Sequence, residues 1–197
     1  MEIILASGSP RRKELLGNMG IRNFHIVKPD FEEEGVQAPS PSALVETLSA
    51  GKAAAAAASL SNPNAIVIAA DTVVALDNVV LGKPANREHA IAMLTSLSGK
   101  RHQVYTGVTV RRGDHAVTCH EVTAVTFRSL TSKEIEDYVA TGEPMDKAGS
   151  YGIQGFGSLL VEGIEGDYFN VMGLPVCLLG QILKQFGVDC LALCAQK

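Results

Sequence analysis

The sequence predicts a mixed α/β fold, and three observations carry that expectation. Helical patterns alternate with short apolar runs rich in β-branched residues, pairs of strand-like segments are inserted among the helices, and the connections are too short to act as flexible linkers. With no internal repeat to divide it, the whole chain 1–197 is expected to form a single mixed-sheet domain. The strand order is left open.

Ile3 to Ala6 reads as a first strand, followed at once by Ser7-Gly8-Ser9-Pro10 and a helical pattern over Arg11 to Met19. Ser9 suits the N-cap of that helix, and Pro10 suits its first turn, where a missing N–H costs no intrahelical bond. Phe24 to Val27 suggests a second strand before the acidic segment Asp30 to Glu34. Ser42 to Leu60 then reads as a long helix in which Ala53 to Ala58 cost little side-chain entropy.

Ala65 to Ala70 is apolar enough for a buried strand, with Asp71-Thr72 expected at its end. Val73 to Leu76 and Val79 to Leu81 flank Asp77-Asn78 as a short hairpin. Arg87 to Leu97 supplies a helix, and alternation returns in Gln103 to Val110 and Val117 to Phe127 across the turn-prone Gly113-Asp114. Thr131 to Thr141 is helical and stops before Gly142, whose missing side chain suits a left-handed cap. Pro144 to Gly157 is expected to be a shaped loop, Leu159 to Val161 a strand, and Leu174 to Phe186 a final helix.

Seventeen Lys and Arg against twenty-one Asp and Glu give a net charge of -4, which argues against a surface built for a nucleic-acid backbone. A polyanionic substrate would need local positive charge or a metal. No stretch reaches membrane-spanning length, and the apolar run at Ile3 to Ala6 is too short for the hydrophobic region of a signal peptide. The four cysteines, Cys119, Cys177, Cys190 and Cys194, form no CxxC pair and have no histidines at zinc-site spacing. These features lead us to expect reduced thiols and a cytoplasmic protein without nucleic-acid or membrane partners.

Three places carry candidate chemistry. At the first strand–loop–helix junction, Ser7, Gly8 and Ser9 can expose backbone N–H donors to a phosphate while Arg11 bonds its oxygens, with Arg12 either in solvent or paired with an acid. On local features alone an ordinary serine cap is the simpler description of this junction, since it lacks the Walker A spacing. Asp71 places a carboxylate against the apolar run Ile66 to Ala70, where a divalent cation, a water awaiting activation or strand-end backbone bonds would each account for it. Among Glu32, Glu33 and Glu34, Glu32 is favoured as a second metal ligand, with Glu33 close behind and a solvated acidic loop as the alternative. Lys52 and Lys83 can neutralise triphosphate charge or extend along the surface.

Six segments together resemble the Maf family of nucleoside triphosphate pyrophosphatases: Ser7 to Arg12, Ala70 to Val74, Gly82-Lys83-Pro84, His102 to Gly107, Asp146 to Gly155 and Gly166 to Pro175. They occur in order along nearly the entire chain. The resemblance implies two lobes around a nucleotide-binding cleft, a homodimer, and metal-dependent cleavage between the α and β phosphates with Mg²⁺ or Mn²⁺ as the cation. It assigns Asp71 the catalytic role and links Arg11, Thr72 and Gln154 to substrate choice. Asp71-Thr72 with Gly152-Ile153-Gln154 resembles the branch acting on dTTP and UTP in nucleotide-pool housecleaning, and the branch acting on methylated guanine nucleotides or modified pyrimidines is the near alternative.

Thr72 and Gln154 offer donors and acceptors suited to the edge of uracil or thymine, and Lys147 is a further phosphate-binding candidate unless it pairs with Asp146. Tyr151, Phe156 and Tyr168 can stack on a base or simply pack. His102, despite its place in one of the segments, fits a structural role beside Tyr105 or Thr106 better than that of a general base. Two other functions remain compatible with the residues: a nucleotide-responsive regulatory protein without turnover, and a structural partner associating through its long helices.

Overall fold

The computed structural model describes residues 1–195 and contains seven strands in one sheet. They are β1 (Ile3–Leu5), β2 (His25–Ile26), β3 (Ile66–Leu76), β4 (Val79–Leu81), β5 (Arg101–Arg112), β6 (His115–Phe127) and β7 (Val161–Glu165). The hydrogen-bonded order is β2-β1-β3-β5-β6-β7, with β4 paired to β3. β1 runs parallel to both β2 and β3, whereas β3 with β4 and β6 with β7 are antiparallel. The helices are α1 (Pro10–Asn18), α2 (Pro41–Ala58), α3 (Arg87–Leu97), α4 (Ser132–Ala140), α5 (Tyr168–Met172), α6 (Val176–Gln185) and α7 (Cys190–Ala195).

The chain divides into two compact units. The first comprises Met1–Asp71, Thr106–Glu121 and the chain from Gly173 onward, and the second Thr72–Tyr105 and Val122–Met172. In the first unit, Ala53 and Ala56 of α2 are fully buried with Ile4, Ala6, Val67 and Ala69. Small side chains let the helix lie close to the strands, and Gly107 shows how close, because a Cβ there would strike the Val45 carbonyl. The core of the second unit is built from Val74, Leu94, Leu97, Val125, Phe127, Ile135, Val139, Tyr151 and Leu160.

Local chemistry sets most element boundaries where the sequence predicts them. The Ser9 side chain caps α1 with Pro10 in its first turn, Ser40 caps α2 and Asn86 caps α3. Thr131 and Glu134 form a reciprocal capping box on α4, which ends at Gly142 with φ 77. Asp77 and Asn78 take φ values of 50 and 65, as a tight two-residue hairpin between β3 and β4 requires.

Three expectations are corrected. Asp71 does not end its strand: β3 continues through Asp71 and Thr72 to Leu76, since Thr72, Val73 and Val74 are β-branched and the charge is neutralised locally. The last strand starts later than Leu159, because Phe156–Leu160 coil into a 3-10 turn held by hydrogen bonds from Arg128 Nε to the Leu159 carbonyl and from the Arg128 N–H to that of Leu160. The short helices α5 and α7 have no counterpart in the sequence reading, being shorter than the period that would reveal them.

Candidate active site

The centre of the site in the first unit is an ammonium held between two carboxylates. Lys52 Nζ lies 2.6 Å from Asp71 Oδ1 and 2.9 Å from Glu33 Oε1. The Lys52 and Asp71 side chains are 10% and 9% exposed, so this charge pair is largely withdrawn from water, while Glu33 at 53% reaches in from the solvent side. A lysine among small alanines on α2 is therefore not a surface side chain: its stem is buried with the helix face, and its head meets the carboxylate on β3. Glu33, not the favoured Glu32, makes this contact, and Glu32 is exposed.

The loop after β1 lies on the neighbouring strand. Leu5 pairs with Ile68 in parallel register, and the Ala6 N–H donates to the Ile68 carbonyl, so the chain turns away into Ser7-Gly8-Ser9 only three residues short of Asp71. Ser7 is buried, and its Oγ accepts bonds from the Ser9 N–H at 3.2 Å and from Arg12 Nη1 at 3.3 Å. Arg12 Nε donates to the Gly173 carbonyl at 2.8 Å. These two bonds tie Arg12 to a carbonyl and a hydroxyl, and Asp71 and Glu33 act on it through their charge. Burial depresses its pKa, while the charges of Asp71 and Glu33 act to raise it. Gly8 is exposed and a Cβ there would meet nothing within 4 Å, which leaves its backbone open to an approaching anion. Ser9 serves as the α1 cap, and Arg11 is half-buried beside it.

In the second unit, Thr72 is half-buried on β3 and Lys83 is exposed after β4. The Gly149 N–H donates to the Gly82 carbonyl at 3.0 Å, tying the Lys83 loop to the segment that precedes Gln154. Gln154 itself is exposed in a tight turn. Lys147 is turned into its own loop, with Nζ 2.7 Å from Asp146 Oδ1 and 2.6 Å from the Glu143 carbonyl oxygen. Its ammonium is thus used in shaping the loop, as the Asp146 pairing anticipates, rather than presented for phosphate.

His102 is 1% exposed, bonded through Nε2 to Tyr151 Oη at 2.9 Å and set edge-on to Phe127. Burial lowers its pKa to about 4, which keeps the ring neutral near pH 7, and its role is structural. Tyr151 is likewise buried and unavailable for stacking, whereas Phe156 is 62% exposed and Tyr168 38%. Glu143, which the sequence reading passed over, accepts bonds from Tyr138 Oη and from the N–H groups of Phe156 and Gly157. A signal existed in the closely spaced glycines at 152, 155 and 157, which let the backbone of this turn come close to an acceptor.

Fold and site define a class of α/β protein in which an anion-type strand–loop–helix junction lies beside a buried lysine–dicarboxylate cluster. Residues 2–186 match the Maf-like protein family, and the chain belongs to it. It is 52% identical over 186 residues to a dTTP/UTP pyrophosphatase of Symbiobacterium thermophilum, covering 94% of each chain. It is also 52% identical over 188 residues to a dTTP/UTP pyrophosphatase of Bacillus anthracis, covering 95% of this chain and 97% of the relative. Among solved structures, a HAM1 protein from Coxiella burnetii shares the fold with TM-score 0.52 and 16% identity, over 94% of this chain and 99% of that one. No helix among the described residues is long and apolar enough to cross a membrane.

Proposed function

We propose that this protein hydrolyses dTTP and UTP to the nucleoside monophosphate and pyrophosphate, with residues 1–197 working as one catalytic domain. The observation that carries the reading is the Lys52–Asp71–Glu33 cluster beside the Ser7–Arg12 junction. The name shared by relatives at 52% identity supports the substrate. The family resemblance supports a homodimer, which a monomeric native mass across a wide concentration range would refute, and the mild acidity and cysteine usage support a cytoplasmic location.

The donor set suits a hard divalent cation. Asp71 and Glu33 both direct carboxylate oxygens at the Lys52 ammonium, a point of convergence for two hard ligands. No group of three or more metal-ligating side chains occurs among the described residues. The two converging carboxylates are of the kind Mg²⁺ or Mn²⁺ uses when water and phosphate oxygens take the remaining positions. When bound, such a cation would offset triphosphate charge and lower the pKa of water.

The chain's own residues supply the rest. The exposed Gly8 backbone and the guanidinium of Arg11 bind phosphate oxygens, and Arg12 braces that loop through Ser7 and Gly173. Asp71 Oδ1 is held by Lys52, and Oδ2 takes a proton from the attacking water as the water oxygen bonds to the α phosphorus and the bond to the bridging oxygen breaks, releasing pyrophosphate. Lys52 and Lys83 counter the charge gathered on the departing pyrophosphate. Thr72 and Gln154 read the pyrimidine edge.

A panel of dTTP, UTP, CTP, ATP and methylated GTP, scored for monophosphate and pyrophosphate, tests this function. dTTP and UTP should lead in kcat/KM, chelation should stop turnover and Mg²⁺ restore it, and Asp71→Asn should lower kcat by about a hundredfold or more in a folded protein. A preference for methylated GTP would overturn the substrate. Absence of turnover with metal present would overturn the enzyme.

A further inference from the structure

The loop that carries Gln154 contains Gly152, Gly155 and Gly157 and has no regular secondary structure until the 3-10 turn at Phe156–Leu160. Such a segment would ordinarily sample many conformations, which is incompatible with oriented hydrogen bonds to a base. Its amides are instead collected by one carboxylate. Glu143 Oε2 accepts from the Phe156 N–H at 2.8 Å, and Oε1 accepts from the Gly157 N–H at 3.0 Å. Oε1 also accepts from Tyr138 Oη at 2.9 Å, and that same hydroxyl accepts from the Gly152 N–H at 3.1 Å.

The turn bearing Gln154 is therefore fixed on both flanks, at Gly152 through Tyr138 and at Phe156–Gly157 directly. From behind, Lys147 donates to the Glu143 carbonyl, so Glu143 is held by its backbone as well as its side chain. The glycines are needed for this arrangement: a Cβ on Gly155 would strike the Glu143 carboxylate, and one on Gly157 would meet the Tyr138 hydroxyl at 2.8 Å.

We infer that Glu143, acting with Tyr138, is a positioning residue for base selection, holding the Gly152–Gly157 turn so that Gln154 presents its amide in one orientation to the pyrimidine ring. This rests on the proposed dTTP and UTP chemistry. Burial works against the charged form of Glu143, but the two backbone N–H bonds, the Tyr138 hydroxyl and the nearby Lys147 outweigh it and depress the pKa, consistent with a carboxylate that stays ionised as an acceptor.

The substitution Glu143→Gln replaces one acceptor oxygen by a donor that opposes a backbone N–H, with little change of shape. Its kinetics on dTTP, UTP and CTP should show KM for dTTP raised about tenfold with kcat within about twofold, and the dTTP-to-CTP ratio lowered by about the same factor. Tyr138→Phe, which removes the Gly152 link and the hydroxyl's bond to Glu143 but leaves both carboxylate–amide bonds in place, should shift the ratio in the same direction by less. Adding Glu143→Gln to Gln154→Ala should lower the ratio no further than Gln154→Ala alone, because the clamp acts through that side chain. In hydrogen exchange, protection of the Phe156 and Gly157 amides should fall in Glu143→Gln, a readout independent of substrate.

A ratio unchanged in both single variants, losses that add fully in the double variant, or an equal fall in kcat for every nucleotide would each overturn the positioning role. If the unsubstituted protein shows no preference for dTTP and UTP, the substrate fails, while the exchange experiment still decides whether Glu143 orders the loop.

Discussion

Replacing Lys52 by Met should expose what the buried cluster costs and what it is for. The substitution keeps an unbranched stem of similar length on α2 but removes the ammonium 2.6 Å from Asp71 and 2.9 Å from Glu33. Two carboxylates are then left facing each other, one of them 9% exposed. Removing one partner of a buried pair costs about 3–5 kcal/mol. The lower end applies, because Glu33 is more than half exposed and can turn to water, while Arg12 retains some attraction for Asp71. About 3 kcal/mol in a chain of this size lowers Tm by roughly 6–12 °C. Thermal melts should show that loss for Lys52→Met without metal. Adding Mg²⁺ should stabilise the variant more than the original protein, because the cation meets uncompensated carboxylates. The double variant Lys52→Met with Asp71→Leu should recover most of the lost stability and remain inactive. A Lys52→Met protein melting within about 2 °C of the original would refute the buried-pair reasoning.

Two further outcomes follow from particular contacts. Glu33→Gln should weaken Mg²⁺ activation by about tenfold or more whereas Glu32→Gln should leave it close to unchanged, measured as the metal concentration giving half-maximal turnover; the reverse order would restore Glu32 as the ligand. His102, ordinarily titrating near 6.5, has its folded-state pKa lowered to about 4, so the unfolded chain binds more protons between those values and stability present above pH 6.5 is lost as pH falls toward 4. Between pH 7 and pH 5 this amounts to about 2 kcal/mol in chemical denaturation. His102→Asn should flatten that slope, and an equal slope in the variant would place the pH dependence elsewhere.

Much of the architecture was legible in the sequence because its signals are local. Ser9-Pro10 specifies a helix start through one side chain and one ring, and Asp77-Asn78 specifies a hairpin through two residues that tolerate positive φ. Asp71 was legible as an isolated charge in an apolar run, although its place within the strand was not: only the distant Lys52 makes a continuous buried strand tolerable there. Glu33 could not be chosen over Glu32, since in irregular chain adjacent side chains have no fixed period and the selection is made by where Lys52 lies. Lys147 shows the same limit. Its charge suggested phosphate, but the 3-10 turn at Glu143–Asp146 brings a carbonyl and a carboxylate to its ammonium.

The placement of Asp71 also says why the cluster is better understood as chemistry than as architecture. A strand in the middle of a sheet is most simply stabilised by Val or Ile, and a buried ion pair rarely improves on well-packed apolar residues of the same volume. Here the pair is accompanied by a third charge on a solvent-facing acidic loop and by a guanidinium whose own pKa burial depresses. On the proposed function, a triphosphate entering beside these four charged groups would draw on the Arg11 and Arg12 guanidiniums, while Lys52 keeps its bond to Asp71 Oδ1. The Lys52 contact would thus hold Asp71 oriented before substrate arrives, so that little reorganisation is needed when the charge of the leaving pyrophosphate develops. Stability is given up at this point in the strand so that the carboxylate is already in place.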